Sequence, residues 1–175
     1  MTWIPNTKQC REIWDEFDLH EPVRKHSKVV NEVAMFLAKK LKNSGADIDL
    51  DLVNAASLLH DLDKISTLKK VKQHGTLAKK WLKEKELFRV GNAVERHGPV
   101  IIEKPDAGWE DKVVHYADKR VQYIKIVSLK KRFNYIKERY KDTFEQAHED
   151  IAYKIEKEIF SKLKIKPEQL MELIK

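Results

Sequence analysis

Apolar residues recur at three- and four-residue steps along most of the chain, the spacing of helices that each bury one face. The segment from Asn6 to about Phe17 predicts a short helix with Ile13, Trp14 and Phe17 on one side. Glu21-Pro22 opens a second helix, because proline suits a first turn. Val29, Val33, Phe36, Leu37 and Leu41 carry its stripe until Asn43-Ser44-Gly45 supplies a left-handed stop. Asp49 or Asp51 caps a third helix bearing Leu52, Ala55, Ala56, Leu58 and Leu59, apolar almost all round and therefore central. Further helices are expected from about Thr76 to Lys85 and from about Phe88 to Arg96, the latter stopped by His97-Gly98-Pro99. A loop through Pro105 and Gly108 leads to a helix from about Trp109 to Ile126. Ser128 to Tyr140 and Thr143 to Leu163 predict two more, and Pro167 starts a short last one. The pattern is that of an all-α, single-domain helical bundle of about seven to nine helices.

Composition supports that class. The chain has 175 residues, the size of one domain, with 42% hydrophobic residues to form a core. Gly and Pro number 5 each, about half the average usage, which disfavours a turn-rich β-sandwich or barrel. The single cysteine, Cys10, excludes an internal disulfide framework and a cysteine-rich zinc ribbon, and fits a reducing compartment. The first residues contain no apolar signal core, and no apolar run approaches the ~18 residues of a membrane span. These features point to a cytoplasmic protein without a membrane partner.

Charge narrows the partners only in kind. Lys and Arg total 35 against 28 Asp and Glu, a net +7. The excess is concentrated in two stretches, Lys64–Arg89 and Lys119–Lys141, the second holding only Glu138 as an acid. Such stretches attract anions, whether phosphorylated metabolites, nucleotides or nucleic acid, and equally serve as solubilising faces.

Candidate chemistry lies at the end of the most apolar helix, in Leu58-Leu59-His60-Asp61-Leu62-Asp63-Lys64. Polar groups placed there need partners, and a bound cation is one way to supply them. His26 sits early in the preceding helix, and Asp118 interrupts the apolar face of Val113–Val121. If these helices converge, His26, His60, Asp61 and Asp118 form a mixed nitrogen and oxygen set suited to Mn, Fe, Co, Ni or Zn. Asp63 could accept from a ligating imidazole.

The order His…His-Asp…Asp resembles the HD-domain superfamily of metal-dependent phosphohydrolases, a helical fold named for that dipeptide. The resemblance is carried by His26, by His60-Asp61 with Lys64 following, and by Asp118 in Ala117-Asp118-Lys119; it spans about residues 22–127. It implies an HD-type domain over 1–175, with a core at about 22–127 and C-terminal helices at about 128–175 packed on it. His74-Gly75 and His97-Gly98, also ordinary helix-end signals, complete the order His26, His60-Asp61, His74, His97, Asp118. That order is similar to the six-ligand subgroup that holds two metal ions bridged by the dipeptide aspartate, here Asp61. The subgroup includes diadenosine-tetraphosphate hydrolases, cyclic-dinucleotide phosphodiesterases and di-iron oxygenases. The chain departs from the cyclic-dinucleotide group, since no Gly-Tyr-Pro follows the later histidines, and beyond about Ile126 it matches none of these activities.

The resemblance implies one or two divalent transition-metal ions and cleavage of a phosphate ester or anhydride by metal-bound hydroxide. The enzyme would be a phosphomonoesterase or phosphodiesterase acting on a nucleotide or related small phosphorylated metabolite. Asp61 and Lys64 are the expected catalytic residues, Lys64 neutralising phosphoryl charge. Lys119 and Arg120, which flank Asp118, are expected to hold a substrate phosphate. The competing functions are a di-iron oxygenase of the same fold and a nucleotide- or nucleic-acid-binding module on this scaffold. Nothing around Cys10 assigns it a role.

Overall fold

Each helix begins and ends for a local reason. In the computed structural model, which describes residues 3–69, 73–102, 104 and 106–174, Asn6 caps α1 (Thr7–Glu16) by accepting from the Gln9 amide, and Gln9 returns the bond. Pro22 lies in the first turn of α2 (Glu21–Asn43), which ends at Ser44 before Gly45 at φ 92°. Of the two candidate caps for α3 (Leu50–Leu59), Asp49 is the one used. Then follow α4 (Thr76–Glu84), α5 (Phe88–Arg96), α6 (Trp109–Lys119), α7 (Leu129–Arg139), α8 (Gln146–Ser161) and α9 (Leu170–Leu173). Short 3-10 turns occupy Pro99–Ile102 and Pro167–Gln169. Gly108, expected in the loop before α6, stands at its N-cap; Pro105, the other residue assigned to that loop, lies outside the described residues.

The all-α bundle is therefore present, with α3 inside it. Leu52, Val53, Ala55, Ala56, Ser57, Leu58 and Leu59 are all buried, and α3 packs against α1, α2, α5 and α6. Burial on every side explains why this helix shows so little amphipathic bias. Trp14 of α1 locks its end by donating Nε1–H to the Leu58 carbonyl at 2.9 Å. From the C-terminal part, Ala152, Ile155 and Ile159 of α8 and Leu170 of α9 join the same buried cluster. Among the described residues, no helix is long and apolar enough to cross a membrane.

One expectation is corrected. The helix predicted to run from Trp109 to Ile126 stops at Lys119, and a small antiparallel hairpin follows. Its strands, β1 (Val121–Gln122) and β2 (Lys125–Ile126), pair Val121 with Ile126 and Gln122 with Lys125. Valine, tyrosine and isoleucine at 121, 123, 124 and 126 prefer extended backbone. Tyr123 turns the chain at φ 58°. Arg120 closes the base: its carbonyl accepts from the Val127 amide at 2.7 Å, and its Nε donates to the Val127 carbonyl at 2.6 Å.

Candidate metal centre

Six side chains meet where three helices end. His60 follows α3, His97 follows α5, and Asp118 lies in the last turn of α6. Helix C-termini carry partial negative charge, so their convergence favours a cation. His26 comes from the second turn of α2, and His74 from the turn before α4. Two glycines allow the approach. Gly75, at φ 83°, packs against the Glu95 backbone, and a Cβ there would come within 3.2 Å of it. A Cβ on Gly98 would meet the His74 carbonyl at the same distance.

The four imidazoles share one orientation. His26 Nδ1–H donates to the Tyr123 carbonyl at 2.7 Å, and His60 Nδ1–H to the Ser57 carbonyl at 2.8 Å. His74 Nδ1–H donates to Asp63 Oδ1 at 2.8 Å, and His97 Nδ1–H to the Val94 carbonyl. With Nδ1 facing an acceptor, the tautomer is set and the Nε2 lone pair is the one presented inward. Asp63 does more than the sequence suggested, since its Oδ2 also accepts from the Gly75 and Ala78 amides at 2.8 and 2.9 Å. It thereby caps α4 and aims His74 together.

The Nε2 atoms fall into two groups around Asp61. On one side, Asp61 Oδ2 lies 3.8 Å from His26 Nε2 and 3.6 Å from His60 Nε2. Asp118 Oδ1 joins them, at 3.1 Å from His26 Nε2 and 3.7 Å from His60 Nε2. On the other, Asp61 Oδ1 lies 3.1 Å from His74 Nε2 and 4.0 Å from His97 Nε2. His26, His60 and Asp61 on the one side, and Asp61, His74 and His97 on the other, each have the spacing of a metal-ligand set.

The donors fit a transition-metal cation. Among the described residues, His60 Nε2 is buried without a hydrogen-bond partner, although two carboxylates face it. His74 and His97 present their Nε2 atoms to each other at 3.0 Å. Imidazole lone pairs among carboxylate oxygens are satisfied by positive charge. The ionisation equilibria show the same demand. Burial opposes protonation of His26, yet Asp118 and Asp61 outweigh it and raise its pKa. His74 is likewise raised by Asp61 and Asp63 against its burial. Burial, with His74 and His60 beside it, holds His97 neutral, its pKa far below the usual imidazole value. Burial disfavours charge on Asp61, but Lys64, His60 and His74 keep its pKa well below the ordinary carboxylate range. Asp118 is held low in the same way by Lys119, His26 and His60.

The flanking cations separate in role. Lys64 Nζ lies 3.3 Å from Asp61 Oδ1, with its side chain 38% exposed at the rim. Lys119 Nζ donates to Asp118 Oδ2 at 2.6 Å, so it acts at the site through that carboxylate. The expected contact of Arg120 with a substrate phosphate is corrected. Its side chain is 1% exposed and donates to the carbonyls of Val127 and Pro167 and the hydroxyl of Tyr116, beside Glu156. Two features escaped the sequence. Backbone carbonyls fix three of the four imidazoles and carry no residue signature. The Tyr123 carbonyl was further hidden because that segment was read as helix; the β-branched and aromatic residues at 121, 123, 124 and 126 were the available signal. His115 is buried and donates Nδ1–H to the His97 carbonyl at 2.8 Å.

The HD domain family model matches residues 23–129. No curated protein and no solved structure matches the chain.

Proposed function

The chain belongs to the HD domain family, a family of metal-dependent hydrolases, and we propose from its site that it hydrolyses a phosphate ester or anhydride of a nucleotide or related small metabolite. The observation that carries this reading is the division of Asp61, whose two oxygens each face a different pair of imidazoles. His26, His60, Asp61 and Asp118 would hold one ion, and Asp61, His74 and His97 a second. Bound there, such cations polarise phosphoryl oxygens and lower the pKa of water toward neutrality. The chain's own contribution is positioning and charge. Lys64, at the rim, neutralises phosphoryl charge as it develops. Lys119 fixes Asp118 through its second oxygen. Asp63 and the backbone carbonyls hold the imidazoles ready, so no reorganisation accompanies binding. No serine or cysteine nucleophile is required.

Protein loaded separately with Mn, Co, Ni, Fe or Zn should release phosphate from at least one member of a panel of nucleotides and sugar phosphates. Lys64→Ala should slow turnover and retain metal. Asp61→Ala should lose all metal, whereas His74→Ala should lose one equivalent of two. Absence of turnover with every metal in folded, metallated protein would overturn the hydrolase reading. Two equivalents retained in His74→Ala would overturn the dinuclear assignment.

A further inference from the structure

One buried histidine stands outside the six side chains of the centre. His115 lies on α6 among the buried Val113, Val114, Tyr116 and Ala117, three residues before Asp118 and therefore on the same side of the helix. Its Nδ1 faces the His97 carbonyl at 2.8 Å and so carries the ring proton. Nε2 is then an acceptor, and among the described residues it is buried without a hydrogen-bond partner. A buried lone pair left unpaired is a cost to folding, and a leucine would fill the same apolar surroundings without it. Folds carry such local conflicts chiefly where a site needs them.

The bond falls on the peptide that builds the His74 and His97 half of the centre. His97 ends α5, and the backbone holds that end with long bonds, 3.3 Å from the His97 amide to the Val94 carbonyl and 3.4 Å from the Gly98 amide to the Glu95 carbonyl. The bond from His115 is shorter than either. It fixes the plane of the His97–Gly98 peptide. On one side of that plane hangs the His97 ring, edge-on to His74 at 4.8 Å between ring centres. On the other is the Gly98 Cα, which leaves so little room beside the His74 carbonyl that a Cβ would lie 3.2 Å from it. A tilt of the peptide would therefore displace both imidazoles, whose Nε2 atoms are 3.0 Å apart. His26 and His60 take their acceptors from Tyr123 and Ser57 and have no part in this bond. Thus α6 supplies Asp118 to one half of the centre and a brace to the other.

We propose that His115 is a positioning residue for the second ion: by holding the His97 carbonyl it sets His97 and His74 at ligating distance without touching the ion itself. This rests on the two-ion reading of the centre, and the test separates the two. Chelator-treated protein is titrated calorimetrically with Co2+ alone. Wild-type protein should take up two equivalents. His115→Leu should weaken the second equivalent about 10–100-fold, the scale for a lost support behind a ligand, and leave the first within about twofold. His115→Asn, which keeps an N–H donor at the distance of Nδ1, should hold both within about threefold. In the His74→Ala background, where the second ion is already lost, His115→Leu should change nothing further in the remaining ion. His115→Phe keeps the ring without the N–H and replaces the leucine variant if that variant does not fold. Fewer than two equivalents in wild-type protein would overturn the two-ion reading and this inference with it. Two equivalents in wild-type, with equal weakening of both ions or an unchanged second ion in the folded leucine or phenylalanine variant, would overturn the positioning role alone. Failure of both replacements to fold while His115→Asn folds would mark a purely structural residue and overturn it as well.

Discussion

Asp63 shows how much one side chain behind the ligands can decide. Its carboxylate accepts from the His74 ring and from two amides at the start of α4, bonds that an amide side chain cannot all accept. Asp63→Asn should therefore weaken the ion held by His74 and His97 by about 10–100-fold, the usual scale for such supports. Fold stability should fall by about 1–3 kcal/mol through the unpaired donors. Metal titration should find the ion at His26, His60 and Asp118 little changed; equal weakening of both would contradict the division at Asp61. Cys10 offers a contrasting residue. Burial pushes its thiol from 9.0 up to about 12, and its Sγ contacts the Pro5 carbonyl. At pH 8 the folded protein should hold about a thousandfold less thiolate than the unfolded chain. Iodoacetamide labelling should accordingly be slow until denaturant is added.

At the level of elements, the helices were legible because each carries its own punctuation. Asn6, Pro22, Asp49, Gly108 and Ser128 all start helices where the pattern placed them. The hairpin was not, since six residues are too few to distinguish a strand pair from the last turns of a helix by periodicity. That small misreading hid both the acceptor of His26 and the task of Arg120, which looks like a phosphate ligand by its place next to Asp118. In the fold it is the hairpin's clamp, tied to Val127, Tyr116 and Pro167 and set near Glu156 at 3.6 Å. Arg120→Met should cost about 3 kcal/mol, because it leaves buried acceptors and a partly buried carboxylate without their cation. Loosening the hairpin should also release His26 from the Tyr123 carbonyl. Urea unfolding should register the lost stability, and metal analysis should show the His26 ion weakened more than the His74 ion. An unchanged unfolding midpoint with a raised substrate KM would restore Arg120 to the substrate.

Across the whole molecule, the candidate ligands are scattered over nearly a hundred residues yet were readable, because polar residues at the ends of apolar helices stand out against their surroundings. What the sequence could not convey is which imidazoles each oxygen of Asp61 faces, since that depends on where α2, α5 and α6 place their ends around α3. The same scattering has an energetic consequence. Ligands come from α2, from the turns after α3, α5 and before α4, and from α6, so a cation bound among them ties together most of the bundle core. The unfolded chain offers no such set, and binding must therefore stabilise the native state. At a free metal concentration one hundred times Kd the gain is about 2.7 kcal/mol. For a chain of this length that corresponds to a rise in Tm of roughly 5–11 °C. Chelation should reverse the rise, and His60→Ala should abolish the part contributed by its own group while His74→Ala leaves that part intact. A Tm indifferent to metal in the wild-type protein would mean that the six side chains do not grip a cation in the native state.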